Sequence, residues 1–88
     1  MGTVQATISD ADGRRSAELA WVVATTRQGE GLATEAAGAA MAWLRDRGVT
    51  RFVAHIHPEH HASAGVARHL GLAATDAWHE GEVRWVGS

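Results

Sequence analysis

The stretch TTRQGEGLATEAA, Thr25–Ala37, decides the fold. Gly29 and Gly31 stand between an apolar, β-branched run and a run of small helix formers. Upstream, residues 17–25 (AELAWVVAT) read as a strand, with Ala17, Leu19, Trp21 and Val23 on one face because strand side chains alternate. Downstream, residues 31–47 (GLATEAAGAAMAWLRDR) read as a helix. On a 3.6-residue wheel Leu32, Ala36, Ala40 and Trp43 line up, with Ala33, Ala37 and Leu44 beside them. Glu35 falls on the solvated side and Trp43 on the core side. Gly48 suits the position just past the helix end. The quoted stretch is therefore a strand-to-helix corner. The first N–H groups of a helix have no intrahelical partner, and the two glycines place no side chain over them. Such a corner favours an anion, above all a phosphate or pyrophosphate. An ordinary glycine turn would use the same letters. Neither the P-loop pattern G-x-x-x-x-G-K-[ST] nor the dinucleotide fingerprint G-x-G-x-x-G is present.

Working outward, residues 3–9 (TVQATIS) alternate as a strand, and 10–15 (DADGRR) form a turn with Asp12-Gly13 as its hairpin signal. Residues 49–57 (VTRFVAHIH) read as a strand, with Phe52, Ala54 and Ile56 facing one way and Val53, His55 and His57 the other. Pro58 favours a helix start; a short helix over 60–70 buries Val66, Ala67 and Leu70 and is closed by Gly71. Residues 72–78 and 82–86 are two strands joined by HEG. The order is ββαβαββ, an α/β chain with a mixed sheet. The central strand–helix–strand unit implies a parallel pair.

The 88 residues make one domain, 1–88, with no linker or repeat. A chain of this size buries only ~60% of its unfolded surface. Eighteen alanines supply much of its 45% apolar content, so the core is thin and a dimer or a longer parent chain would help it. A net charge of −2 without a basic run argues against a nucleic-acid partner. Absence of cysteine removes disulfides and thiolate chemistry. No apolar run is long enough to span a membrane, so no membrane partner is expected and the location expected is cytoplasmic. All eight basic residues are arginine; with the alanine and glycine excess this composition suggests a GC-rich bacterial genome.

Gln28-Gly29-Glu30-Gly31-Leu32-Ala33 resembles the Q/R-x-x-G-x-G/A segment of the GNAT superfamily of N-acetyltransferases. HPEHHASAGVARHLGL, at 57–72, resembles that family's late helix, N-x-x-[A/S] followed by a closing LGF or LGL. The tail TDAWHEGEVRW resembles the terminal hairpin of the branch that includes ribosomal-protein alanine acetyltransferases. The likeness runs from about residue 3 to residue 86. It implies a GNAT-like fold and transfer of an acetyl group from acetyl-CoA to a primary amine, on a small molecule or a peptide. It further implies that the backbone of Trp21, Val22 and Val23 pairs with the pantetheine arm. An N–H near Val23 or Ala24 would polarise the thioester carbonyl. Gln28, Gly29, Glu30, Gly31, Leu32 and Ala33 would hold the pyrophosphate. The two parallel strands would splay apart to leave a slot for the cofactor.

Several positions depart from the family pattern. His60 stands where the family often has Asn, and Ala67 where it often has a tyrosine acid; the chain has no tyrosine. Ser63 matches a serine variant and would either hydrogen-bond the CoA sulfur or cap its helix. His55 stands where some members carry a glutamate base, and histidine exchanges a proton near neutral pH. His55, His60 and Ser63 are thus the catalytic candidates, and His60 and Ser63 also candidates for cofactor contact; His55 could equally be a half-buried strand histidine. His55, His57, His60 and His61 invite a metal reading. No cysteine joins them, and they fall inside the acetyltransferase segment, so no functional metal is assigned.

Family domains carry a further strand and two helices ahead of this region, which build the acceptor wall. The resemblance therefore makes the chain the C-terminal, cofactor-binding portion: a fragment, or a natural short form completed by homodimerisation. Two other functions stay open. One is a non-catalytic acyl-CoA-binding module; the other is a dimerisation unit using Trp78 and Trp85, residues that could instead pack the core.

Overall fold

A computed structural model describes residues 4–11, 13–23 and 29–87 of the chain. Five strands and two helices follow in the order β1 (Val4–Ala11), β2 (Arg14–Trp21), α1 (Gly29–Asp46), β3 (Val49–Ile56), α2 (His61–His69), β4 (Ala73–His79) and β5 (Glu82–Gly87). The ββαβαββ reading holds, with element ends shifted by a few residues. One sheet, ordered β1-β2-β3-β5-β4, contains all five strands. Only β2 and β3 pair in parallel; β1–β2, β3–β5 and β4–β5 are antiparallel. Parallel neighbours need a long crossover, and α1 supplies it.

Both helices lie on one face of the sheet. Ala17 and Leu19 of β2, Phe52, Ala54 and Ile56 of β3 and Trp85 of β5 join Met41 and Leu44 of α1 and Ala67 of α2 in a single core. The opposite face carries Glu18 of β2, Val53 and His55 of β3 and Arg84 of β5, by strand alternation and register.

The buried stripe of α1 holds Ala33, Ala37 and Leu44, which the wheel reading set beside its apolar line, together with Met41. The line itself is not the buried one: Leu32 is 48% and Trp43 54% exposed, and Ala36 and Ala40 are half-buried. An alanine-rich helix offers apolar faces over most of its circumference, so periodicity alone does not choose among them. Packing against the sheet selects the face that carries Met41 and Leu44. The Trp43 ring instead lies under the Arg47 guanidinium, 3.9 Å from its centroid, which lets a large aromatic rest at the surface. Glu35 is exposed, as expected.

The hairpins and helix ends follow local chemistry. Glu80 and Gly81 both have positive φ, +51° and +83°, between the paired residues His79 and Glu82. That is the two-residue turn whose twist suits a hairpin. Past α2, the N–H of Leu72 donates to the carbonyl of Ala67 and that of Gly71 to Arg68, at 3.0 and 3.1 Å, the Schellman closure that needs a left-handed residue at Gly71. Trp85 is buried in the core, beneath the Arg68 guanidinium, so it is a packing residue and not part of a docking hairpin; Trp78 is 60% exposed.

Candidate active site

The site begins where the one parallel pair stops pairing. The β2–β3 ladder ends at Leu19 and Ala54. Beyond that rung β2 continues to Trp21, held by β1 through the Val4–Trp21 pair. β3 continues to Ile56, held by β5 through the Ile56–Val83 pair. Each strand stays with its outer neighbour, so the two part company and a slot opens between them. This is the splay that the sequence resemblance implied. The cavity there has a volume of about 410 Å³. Ligands of α/β sheets gather outside the carboxyl ends of parallel strands, and both helices start at that end.

Trp21 lines the slot. Val22 and Val23 are not strand residues as expected; β2 ends at Trp21. On the β3 side the reason lies in the pairing: β3 has already left at Leu19. Val22 is 66% exposed. Ala24 and Gln28 lie outside the described residues, together with the positions between them. Helix α1 starts at Gly29, so Gly29, Glu30, Gly31 and Leu32 form its first turn. A Cβ on Gly31 would meet nothing within 4 Å. Ala33, one position into the second turn, has its side chain buried.

His55, His60 and Ser63 come together along the same slot. His60 is the N-cap of α2 and is exposed; no side chain caps this helix. Ser63 is therefore not a cap. It is buried, 4% exposed, in the first turn of α2, with the slot on one side. Ala67, one turn further, is wholly buried in the core, so no proton donor stands at the position where the family often has tyrosine. His57 is exposed, and its Nδ1 accepts the backbone N–H of Glu59 at 3.2 Å. Among the described residues no group of three or more His, Cys, Asp or Glu side chains is placed to hold a metal ion.

Sequence reasoning missed two neighbours of His55. Glu18 of β2 places Oε2 3.6 Å from His55 Nδ1. His79, at the end of β4, stacks at a tilt of 42° with ring centroids 5.1 Å apart. Both line the slot. Alternation along β2 puts Glu18 opposite the Leu19 face, and parallel pairing with Val53 could have brought it beside His55 had the register been legible. His79 arrives through the β4–β5 hairpin, whose bulge between Ala74 and Trp78 hides its register from the sequence.

Residues 1–73 match the family model described as an acetyltransferase (GNAT) domain. No curated protein matches the chain. Among solved structures, an acetyltransferase from Agrobacterium tumefaciens str. C58 is 24% identical over 97% of this chain and 52% of its own, with a TM-score of 0.71. A domain from Methanocaldococcus jannaschii DSM 2661 is 13% identical over 98% of this chain and 66% of its own, with a TM-score of 0.74. A protein described as a GnaT-family acetyltransferase, from Bordetella pertussis, is 36% identical over 80% of this chain and 43% of its own, with a TM-score of 0.61. The chain thus spans 43% to 66% of the length of these structures. The match covers the strand-to-helix corner, the parallel pair and both helices, and on it the chain belongs to the GNAT acetyltransferase domain family.

Proposed function

We propose that the chain transfers an acetyl group from acetyl-CoA to a primary amine in the slot between β2 and β3. The observation that carries this reading is the parting of the two strands after Leu19 and Ala54, with His55, His60 and Ser63 along the opening. The residues present fit the cofactor in three respects. The β2 edge from Ala20 onward has no β3 partner and can pair with an amide-bearing pantetheine arm. The first-turn N–H groups of α1 have no partner within the helix, and they stand at the positive end of its dipole, which suits a pyrophosphate. Among the described residues nothing fills the space over Gly31.

Bound acetyl-CoA supplies an activated acyl group, a thioester carbonyl that a neutral amine attacks. The chain's own residues do the rest. His55 takes a proton from the ammonium form of the acceptor, directly or through a water, and releases the nitrogen lone pair. A backbone N–H just past Trp21, near Val23 or Ala24, donates to the carbonyl oxygen as negative charge develops there. With the cofactor bound, the acceptor nitrogen would displace the sulfur from the acyl carbon; the sulfur would leave with the bonding pair, and the proton shed by the new amide nitrogen would pass to that thiolate, directly or through a water. Ser63 would donate its hydroxyl hydrogen to the sulfur, and His60, which also lines the slot, would stand against the pantetheine. Positioning contributes most, because a neutral amine is already a good nucleophile.

The second reading, an acyl-CoA-binding module without turnover, draws on one observation: Ala67 is sealed in the core, where the family's acid is expected. Release of thiol from acetyl-CoA, measured against a panel of small amines and amino-terminal peptides, separates the two. Amine-dependent thiol release supports the enzyme. CoA binding by calorimetry without any thiol release supports the binder, and neither signal would overturn both.

A further inference from the structure

We propose that Glu18 is a positioning residue for His55: its carboxylate holds the neutral imidazole in the Nδ1–H form and leaves Nε2 as the proton acceptor. The use of that acceptor rests on the acetyltransferase reading; the geometry does not. Glu18 pairs with Val53 across the parallel ladder, and His55 is two residues on, on the same face of β3. The two side chains therefore rise side by side where the slot begins. Glu18 Oε2 lies 3.6 Å from His55 Nδ1, slightly beyond hydrogen-bond length. The imidazole is the fixed partner and the carboxylate the mobile one: their side chains are 13% and 59% exposed. Closing the gap takes a few tenths of an ångström of adjustment in an exposed rotamer, and contacts of this kind commonly tighten once a site is filled.

Two further neighbours flank the ring. The His79 ring meets the His55 ring at 5.1 Å and restricts its rotation. Arg84 stands directly across on β5; its buried Nε makes no hydrogen bond to His55 or to any other described residue. A neutral imidazole has one donor nitrogen and one acceptor nitrogen, and the partner of the first decides the second. An ionised carboxylate only accepts, so at Nδ1 it requires the proton to reside there. The same division of labour orients the histidine of a hydrolytic triad, reached here through the register of two parallel strands.

Long-range proton–nitrogen correlation spectra of 15N-labelled protein read the tautomer, at alkaline pH where imidazoles are neutral. His55→Gln identifies the His55 signals by their loss. The wild-type chain should show His55 as Nδ1–H. Glu18→Ala should move it to Nε2–H, and Glu18→Gln, which keeps an acceptor oxygen, should restore Nδ1–H in part. In thiol-release assays Glu18→Ala should lower kcat about tenfold, a fraction of what acid–base catalysis provides, with KM for acetyl-CoA unchanged. The same tautomer in wild type and Glu18→Ala, or Nε2–H already in the wild type, would overturn the proposal. A wild-type chain that neither binds CoA nor releases thiol would refute the acetyltransferase reading instead, while the spectra still decide the role of Glu18.

Discussion

Leu19 of β2 and Ala54 of β3 form the last rung of the parallel β2–β3 ladder. Both are buried in the core, and the slot opens at them. The rung fixes where two strands separate, and the separation is what gives a thin, alanine-rich domain a cleft. The consequences can be tested residue by residue.

Gly31 sits in the first turn of α1, and a Cβ there would meet nothing among the described residues. None of their packing demands glycine at this position. Gly31→Leu should leave the melting temperature unchanged or raise it, since leucine favours a helix over glycine by up to about 1 kcal/mol. The same side chain would occupy the volume assigned to the pyrophosphate. CoA affinity should fall at least about tenfold, equivalent to 1.4 kcal/mol. Thermal melting and calorimetry on one sample check both halves; unimpaired CoA binding would remove Gly31 from the site.

His55 lines the slot at the end of β3, with its side chain largely buried. If it is the base, His55→Ala should reduce kcat for thiol release by on the order of a hundredfold, the low end of general-base contributions. CoA affinity should not change, because the proton transferred belongs to the amine. Steady-state kinetics at saturating acetyl-CoA, paired with a CoA titration, distinguish this from collapse of the slot, which would weaken both.

Met41 and Trp43 test the corrected face of α1. Met41 is 2% exposed within the core, so Met41→Ala should cost roughly 2–5 kcal/mol. Trp43 is half exposed and should cost about 1 kcal/mol or less when replaced by alanine, chiefly through loss of its stacking with Arg47. Urea unfolding of the two variants should rank them in that order. The reverse ranking would restore the face read from the helical wheel.

Gly87, the last residue of β5, is a packing glycine. A Cβ built there falls 2.6 Å from Leu72 Cδ2 and 3.1 Å from the Gly71 carbonyl oxygen. The backbone oxygen cannot move without disturbing the closure of α2. Gly87→Ala should therefore destabilise the fold by roughly 1–3 kcal/mol, as overpacking does. For a domain of this size each kcal/mol lowers the melting temperature by about 4–8 °C, so a scanning melt resolves it.

These cases also mark what could be read from the letters. The β1–β2 hairpin with Gly13 at positive φ, the helix stops at Gly48 and Gly71 and the ββαβαββ order depend on local chemistry, which the sequence carries directly. The face of α1 was legible only in part: Ala33, Ala37 and Leu44 were placed on the apolar side, but Leu32 and Trp43 are as apolar as Met41, and only the sheet decides that Met41 is buried and they are not. The end of β2 was misread: Val22 and Val23 favour strand, but β3 has already diverged after Leu19 and Ala54. His55, His60 and Ser63 could be singled out by their spacing. Glu18 and His79 could not, since their approach to His55 depends on the register of β2 against β3 and on a bulge in β4.

The most direct measurement of the central claim is a titration of 15N-labelled chain with CoA, followed by backbone amide shifts. The account predicts saturable changes concentrated at Ala20–Val23 and Gly29–Leu32, flanking the slot, with smaller ones at His60 and Ser63 and none near the Asp12-Gly13 turn. Changes scattered over the surface, or none at millimolar CoA, would contradict it.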